Sequence, residues 1–208
     1  PILSEIKSVV KGKDAIITML PSGCEVTDVH ERIIPECSKS TVMVDCSTVD
    51  IKSARFVASL AKDTDFLSLD APVSGGVRGA EEGALTFMVG GDKEGFEMVK
   101  PLFDLMGKKA VYCGISGSGQ AAKICNNMIL GVSMIGVCEA FALADKIGLD
   151  RKKMFEVSSN SSGQCWSLNT YCPAPGVGPK APSDNEYLPG FAAELMVNCL
   201  LYTSDAAD

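Results

Sequence analysis

Residues 70–91 read DAPVSGGVRGAEEGALTFMVGG and place a glycine-rich run between two apolar stretches that are typical of strands. Six of these 22 residues are glycine, and the only hydroxyl side chains are those of Ser74 and Thr86. Glycine lets backbone N–H groups approach an anion closely, and a serine hydroxyl adds one more donor. The run Ser74–Gly75–Gly76 is therefore a candidate cradle for a carboxylate, with a plain flexible loop as the alternative.

Short apolar runs alternate with helical stretches on both sides of this loop. Strands are predicted at 14–20, 41–46, 65–70, 84–91 and 110–114, and helices at 23–33, 53–62 and 92–103. This alternation predicts an α/β domain with a mostly parallel, doubly wound sheet. Ligands bind beyond the carboxyl ends of strands in such sheets, and two strand ends carry small polar or turn residues, Leu20–Pro21–Ser22 and Ser47–Thr48.

The pattern changes after Gly119, where residues 120–147 predict one long helix. A shorter helix is predicted at 151–160, followed by a loop rich in Pro and Gly at 172–190. The long helix is apolar enough to suggest a membrane span, but its polar residues favour a buried helix between two domains. We therefore predict two domains that divide near residue 116.

Composition limits the classes of protein to which this chain can belong. The chain has 208 residues, of which 46% are hydrophobic and 22% charged, as in ordinary globular proteins. Its net charge of −7 argues against nucleic acid or an anionic membrane as a partner. The nine cysteines form no CxxC pair, which favours a reducing intracellular compartment. The single His30 is expected at the surface, and no metal site is predicted.

The sequence QAAKICNN at 120–127 is the second candidate for a functional motif. Gln120, Lys123 and Asn127 share one face of the predicted helix because they are spaced at i, i+3 and i+7. A lysine amine in an apolar helix is suited to proton transfer, and the amide of Asn127 could orient a substrate oxygen beside it. The alternative is an ordinary helical lysine whose charged end reaches solvent.

Residues 117–122 match G-x-G-x-x-A, the fingerprint of a dinucleotide-binding turn. That fingerprint also needs an acidic residue about 20 positions further on, at the end of a second strand. Here this position falls inside the same long helix, near Glu139. We therefore interpret the turn as a hinge between domains.

The two motifs, DAPVSGGVRGAEEGALTFMVGG and GSGQAAKICNNMILG, together resemble the β-hydroxyacid dehydrogenase family over roughly residues 1–198. The resemblance implies an incomplete Rossmann-like doubly wound sheet in residues 1–116 and an all-helical C-terminal domain in 117–198. It also implies NAD as the cofactor and Lys123 as the catalytic acid/base. The other implied residues are Ser74, Gly75, Gly76 and Asn127 for the substrate, and Leu20, Pro21 and Thr48 for the nicotinamide side of NAD.

The activity implied by the resemblance is oxidation of 3-hydroxyisobutyrate to methylmalonate semialdehyde, a step of valine catabolism. One alternative is a related 2-hydroxy-3-oxopropionate or glyoxylate reductase, and another is an inactive binding module on the same scaffold. A small hydroxy acid is the expected substrate, and a homo-oligomer through the helical domain is expected for the parent protein. The expected location is the mitochondrial matrix in a eukaryote and the cytoplasm otherwise.

The sequence also departs from the family pattern at both ends. The family begins with a strand and G-x-G-x-x-G, which is absent here, and it carries Lys and Asp where this chain has Asn198 and Cys199. Residues 199–208, CLLYTSDAAD, resemble a translated adapter sequence rather than the family. We therefore expect a fragment with a non-native tail at 199–208, which is inactive by itself.

Overall fold

The computed structural model describes residues 5–188, which fall into two compact units that divide between Ile124 and Cys125. The division lies inside the long helix, several residues beyond position 116, and the domain boundary at 116 stays a prediction. Asn198, Cys199 and the predicted tail at 199–208 lie outside the described residues.

The first unit alternates strands and helices along the chain. Its elements are α1 (Ile6–Val10), β1 (Ala15–Thr18), α2 (Gly23–Ile33), β2 (Val42–Asp45), α3 (Ile51–Asp63), β3 (Leu67–Asp70), β4 (Val73–Ser74), α4 (Gly76–Glu81), β5 (Leu85–Gly91), α5 (Lys93–Met106) and β6 (Gly107–Gly114). A turn of 3-10 helix at Ile34–Glu36 follows α2. Helix α6 (Ser118–Ile147) begins in this unit, and α7 (Arg151–Ser158) and α8 (Trp166–Asn169) follow it.

The six strands form one sheet in which β1, β2 and β3 pair in parallel. Strand β5 runs antiparallel to β3 and β4, and β6 pairs with β5 in parallel. The predicted Rossmann-like α/β class and the mostly parallel pairing are confirmed, but the antiparallel junction at β5 was not predicted. The antiparallel pairing of β4 with β5 follows from their connection through residues 75–84, which is shorter than the dozen or so residues that a parallel return needs.

Both faces of the sheet are covered by helices, so β2 is buried along its whole length. One face packs against α5 through Phe96, Val99 and Phe103, and the rings of Phe87 and Phe103 lie 4.8 Å apart. On the opposite face Met43 packs with residues of α1, α2 and α3. Burial on two faces explains why the strands read as continuous apolar runs rather than as alternating ones.

The prediction that His30 lies at the surface is wrong, because its side chain is buried within the first unit. Its Nδ1 lies 2.8 Å from the carbonyl oxygen of Val26, one turn earlier in α2. This local hydrogen bond satisfies one polar atom of the ring, which lets the imidazole enter an apolar environment.

The second unit contains the rest of α6 together with α7, α8 and an irregular segment that runs to Leu188. Its described residues contain no strand, in agreement with the predicted all-helical C-terminal domain. Phe141, Leu168 and Cys172 lie at the centre of its core. Helix α6 is long and apolar enough to cross a membrane, and only 28% of its apolar 18-residue window is buried, so the prediction of a buried helix is wrong for the described residues. The predicted absence of a membrane partner therefore stays a prediction.

Candidate functional site

The loops that follow β1 and β2 are joined by hydrogen bonds at the carboxyl end of the sheet. The buried hydroxyl of Ser47 accepts from the backbone N–H of Leu20 at 2.8 Å and donates to Asp45 Oδ1 at 2.6 Å. The same carboxylate oxygen accepts from the Thr18 hydroxyl at 2.8 Å. Two of the segments predicted to face NAD, at Leu20 and at Thr48, are thus held together by buried side chains.

The predicted cofactor-facing residues differ in exposure. Leu20 is half-buried against Val26 and Val49, Pro21 is exposed, and Thr48 is half-buried. All three therefore lie at an accessible part of the first unit, at the carboxyl end of the sheet, where the resemblance places the nicotinamide.

The first turn of α6 is fixed to the sheet by the buried carboxylate of Asp70, the last residue of β3. Asp70 accepts from the backbone N–H of Gly117 at 2.7 Å and from that of Gln120 at 3.0 Å. Burial raises the pKa of Asp70, while these backbone hydrogen bonds act in the opposite direction. A carboxylate at this place also compensates the partial positive charge of the helix N-terminus.

The turn at residues 117–122 is closely packed against strand ends. A Cβ on Gly119 would lie under 3.0 Å from the backbone oxygens of Asp70 and Met88, and one on Gly90 would lie 2.7 Å from the Gly119 nitrogen. Glycine is therefore required here for packing. Because Asp70 occupies the backbone donors of Gly117 and Gln120, the geometry supports a structural turn rather than a pyrophosphate loop.

Lys123 lies one turn further along α6, and its Nζ donates to the backbone carbonyl of Val73 at 2.7 Å. The side chain is half-buried. Val73 immediately precedes the glycine run, so the structure brings the predicted proton-transfer group to the predicted carboxylate cradle. Lys123 and Val73 are 50 positions apart in the sequence.

The glycine run is ordered by strand pairing on one side and by a short helix on the other. Ser74 pairs with Thr86 across β4 and β5, and α4 begins at Gly76. Gly75 and Gly76 have φ values of +139° and +62°, which side chains rarely adopt, and both are exposed. Strand pairing and a short helix thus bound the glycine run, and its role as a carboxylate cradle stays a prediction.

Asn127 belongs to the second unit and follows Lys123 by four residues on the same helix. Its side chain is buried, and its Oδ1 lies 3.4 Å from the Nδ2 of Asn126. The helical spacing places the two residues on one face, as the sequence predicted. The substrate-binding role of Asn127 stays a prediction.

Sequence reasoning missed Asp70 and the structural use of Gln120, whereas it named Ser47 among the polar strand ends. Asp70 ends a predicted strand, so the same rule that ligands gather at the carboxyl ends of strands could have indicated it. The helical spacing predicts only that Gln120 lies on the same face as Lys123. In the structure its side chain is wholly buried and is hydrogen-bonded to the loop after β2.

Within residues 5–188, no group of three or more His, Cys, Asp or Glu side chains is arranged to hold a metal ion. The eight cysteines of this part of the chain are all free.

Two family models match the chain. Residues 1–122 match the NAD binding domain of 6-phosphogluconate dehydrogenase, and residues 117–208 match the model described as NAD-binding of NADP-dependent 3-hydroxyisobutyrate dehydrogenase. The chain is 42% identical to mitochondrial 3-hydroxyisobutyrate dehydrogenase of Mus musculus, covering 99% of the chain and 62% of the relative. It is also 42% identical to an NAD-dependent L-serine dehydrogenase of Pseudomonas aeruginosa, covering 97% of the chain and 68% of the relative.

A solved structure of Mycobacterium tuberculosis 3-hydroxyisobutyrate dehydrogenase with L-serine has a TM-score of 0.92 to this chain at 41% identity. The match covers 98% of the chain and 70% of that structure. The chain spans 62% of the length of the mouse relative and 66% of the length of a protein named probable 3-hydroxyisobutyrate dehydrogenase in Mycobacterium bovis.

The sheet, the long helix and the two NAD-binding models define the class as NAD-binding oxidoreductases. Within that class the chain belongs to the β-hydroxyacid dehydrogenase family, together with the 3-hydroxyisobutyrate dehydrogenases. NAD is thereby confirmed as the cofactor of the family.

The described residues fit the nicotinamide side of that cofactor. The hydrogen bond from Leu20 to Ser47 brings the ends of β1 and β2 together, and it leaves Pro21 and part of Thr48 accessible at the edge of the sheet. An accessible, rigid edge beyond the carboxyl ends of parallel strands is the usual position of a nucleotide in open α/β sheets.

Proposed function

We propose that the protein to which this chain belongs oxidises 3-hydroxyisobutyrate to methylmalonate semialdehyde with NAD, and that Lys123 is its acid/base. The observation that carries the proposal is the 2.7 Å hydrogen bond from Lys123 Nζ to the carbonyl of Val73. This hydrogen bond links an amine that can accept a proton to the loop that can hold a carboxylate. A substrate with a hydroxyl and a carboxylate on one short carbon chain needs the amine for its hydroxyl and the loop for its carboxylate.

Each role follows from the chemistry of the group. The neutral amine of Lys123 takes the hydroxyl proton as the substrate carbon is oxidised, and the backbone donors at Ser74, Gly75 and Gly76 hold the carboxylate. The amide of Asn127 orients the reacting oxygen, since it lies one helical turn from Lys123. Leu20, Pro21 and Thr48 contact the nicotinamide side of NAD, which supplies the hydride acceptor when it is bound.

L-Serine is a second candidate substrate. One relative of 42% identity is named an NAD-dependent L-serine dehydrogenase, and the matched solved structure was determined with L-serine. Serine shares the hydroxymethyl and carboxylate groups of 3-hydroxyisobutyrate and differs in carrying an ammonium group in place of a methyl group. A 2-hydroxy-3-oxopropionate or glyoxylate reductase, and a binding module without activity, stay as further alternatives.

The substrate assignment is tested by following NADH formation with 3-hydroxyisobutyrate, L-serine and glycerate as competing substrates. We expect the largest kcat/KM for 3-hydroxyisobutyrate. The assay uses the 208-residue chain and also the natural protein, should that be longer, so that the expected inactivity of the chain by itself is tested too. A larger kcat/KM for L-serine would replace the assignment with serine oxidation.

The role of Lys123 is tested by Lys123→Ala and Lys123→Arg. Both should lower kcat by about a hundredfold or more, because general acid/base catalysis contributes factors of this size, while the Kd for NAD changes little. Lys146→Ala is the matched control, since Lys146 is an exposed lysine of the same helix. An equal loss of NAD affinity and rate in Lys123→Ala would make Lys123 a structural or phosphate-binding residue instead.

The remaining proposals concern the cellular setting. We propose a place in valine catabolism and assembly of the parent protein into a homo-oligomer through the helical domain. The mouse relative is named as mitochondrial. This supports a mitochondrial location for a eukaryotic protein, for which we propose the matrix; for a bacterial protein we propose the cytoplasm.

A further inference from the structure

The side chain of Gln120 bridges α6 and the loop that contains Thr48. Its Nε2 donates to the carbonyl of Ser47 at 2.8 Å, and its Oε1 accepts from the N–H of Val49 at 3.1 Å. Both atoms of the amide are thus used on the residues that flank Thr48. The side chain has no exposed surface, so water does not compete for these bonds.

The bridge continues from Ser47 to the loop after β1. The Ser47 hydroxyl accepts from Leu20 N–H at 2.8 Å, while its carbonyl accepts from Gln120. The backbone of Gln120 is in turn held by Asp70. One continuous set of buried hydrogen bonds therefore joins the Leu20 loop, the Thr48 loop and the helix that carries Lys123.

We infer that Gln120 is a positioning residue, which holds the Leu20 and Thr48 loops in register with the amine of Lys123. The inference rests on the proposed function, because it assigns these loops to NAD and Lys123 to proton transfer. A primary amide suits this place because one loop residue offers an acceptor and the other a donor. Asp70 holds the helix itself, so loss of the Gln120 side chain should release the Thr48 loop at Val49 and leave Lys123 in place.

The test compares Gln120→Met and Gln120→Glu with the unaltered protein. Methionine keeps the volume and removes both hydrogen bonds, whereas glutamate keeps the acceptor for Val49 and places a carboxylate oxygen against the Ser47 carbonyl. Thr41→Val is the control, because it removes a hydrogen bond of another buried side chain, from the Thr41 hydroxyl to Lys13 O at 2.6 Å, at the opposite end of β2.

The first measurement is amide hydrogen exchange, which requires no activity. Gln120→Met should lose protection at the N–H of Val49, which donates to Gln120 Oε1. It should keep protection at Leu20, which donates to the Ser47 hydroxyl, and in β2 and β3. Thr41→Val should keep protection at both of these amides. Unchanged protection of Val49 in Gln120→Met would overturn the inference.

The second measurement is steady-state kinetics with substrate deuterated at the reacting carbon. We expect kcat to fall by about tenfold to a hundredfold in Gln120→Met, with a larger isotope effect on kcat, because a misplaced acceptor slows hydride transfer. KM for the hydroxy acid should change less than about twofold, since the glycine loop is held separately by Lys123. The pH profile should keep its shape because Lys123 is unaltered.

These outcomes separate this inference from the proposed function. A protein inactive with every hydroxy acid would refute the proposed function, and the inference would then stand or fall on amide exchange and on NAD binding by calorimetry. Weaker NAD binding in Gln120→Met with lost protection at Val49 would support it. Lost protection with unchanged kcat, isotope effect and NAD affinity would overturn it, since the residue would then be merely structural.

Discussion

Substitution of Gly119 by alanine tests the packing of α6 against the sheet. The added Cβ would meet the backbone oxygens of Asp70 and Met88 and the Oδ2 of Asp70, each at under 3.0 Å. Two of these three atoms belong to the backbone of buried strands and cannot turn aside. The helix must therefore move away from β3 and β5, which strains the hydrogen bonds that Asp70 makes to Gly117 and Gln120.

The expected cost follows from two opposing effects. Overpacking of a close contact costs about 1–3 kcal/mol, and contacts with backbone place this case at the upper end. Alanine offsets part of this, because it is better than glycine by up to about 1 kcal/mol within a helix, and by less in its first turn. We therefore expect Gly119→Ala to lower the free energy of unfolding by about 2 kcal/mol.

Gly136→Ala is the matched control in the same helix. A Cβ there meets nothing within 4 Å among the described residues, so only the helix propensity changes and the protein should gain up to about 1 kcal/mol. Urea unfolding followed by circular dichroism should show midpoints shifted in opposite directions from the unaltered protein. A Gly119→Ala variant as stable as the unaltered protein would refute the close contact.

Three further predictions concern the glycine loop, the buried carboxylate and a buried thiol. Gly75→Val should raise KM for the hydroxy acid more than about tenfold and leave KM for NAD unchanged. The reason is that valine rarely adopts a φ of +139° and its Cβ would contact Leu85, so the loop must change its conformation. A rise in KM for NAD instead would assign the loop to the cofactor. Asp70 has a raised pKa, so its contribution to stability is fully present below its ordinary value of 3.8 and is lost as the pH rises through its folded value. The free energy of unfolding of the unaltered protein, relative to that of Asp70→Asn, should accordingly fall as the pH rises from about 3.5 towards neutrality. Urea titrations measure this difference, and a rise with pH would contradict the sign. Burial raises the pKa of Cys46 to about 12. A thiol reagent near neutral pH should therefore modify exposed Cys24 in the folded protein and Cys46 only after unfolding. Equal rates of modification of the two thiols in the folded protein would contradict this.

Local patterns in the sequence predicted most of the fold. Apolar runs of strand length, helical periodicity and turn residues predicted β1, β2, β3, β5 and β6 and helices α2, α3 and α5 of the first unit, because these features depend on neighbours along the chain, but they missed the short elements α1, β4 and α4. The spacing of Lys123 and Asn127 likewise followed from helix geometry alone. The family resemblance of the two motifs then identified NAD as the cofactor, which the family models confirmed.

Tertiary structure decided the features that depend on residues far apart in the sequence. The direction of β5, the burial of His30 and the pairing of Lys123 with Val73 all arise from contacts between separate elements. Gln120 and Lys123 have similar sequence surroundings. The Gln120 amide is nevertheless enclosed beneath the Thr48 loop, whereas the Lys123 side chain reaches the glycine run. No local pattern encodes that difference, because a buried polar group is defined by which distant donor or acceptor the fold brings to it.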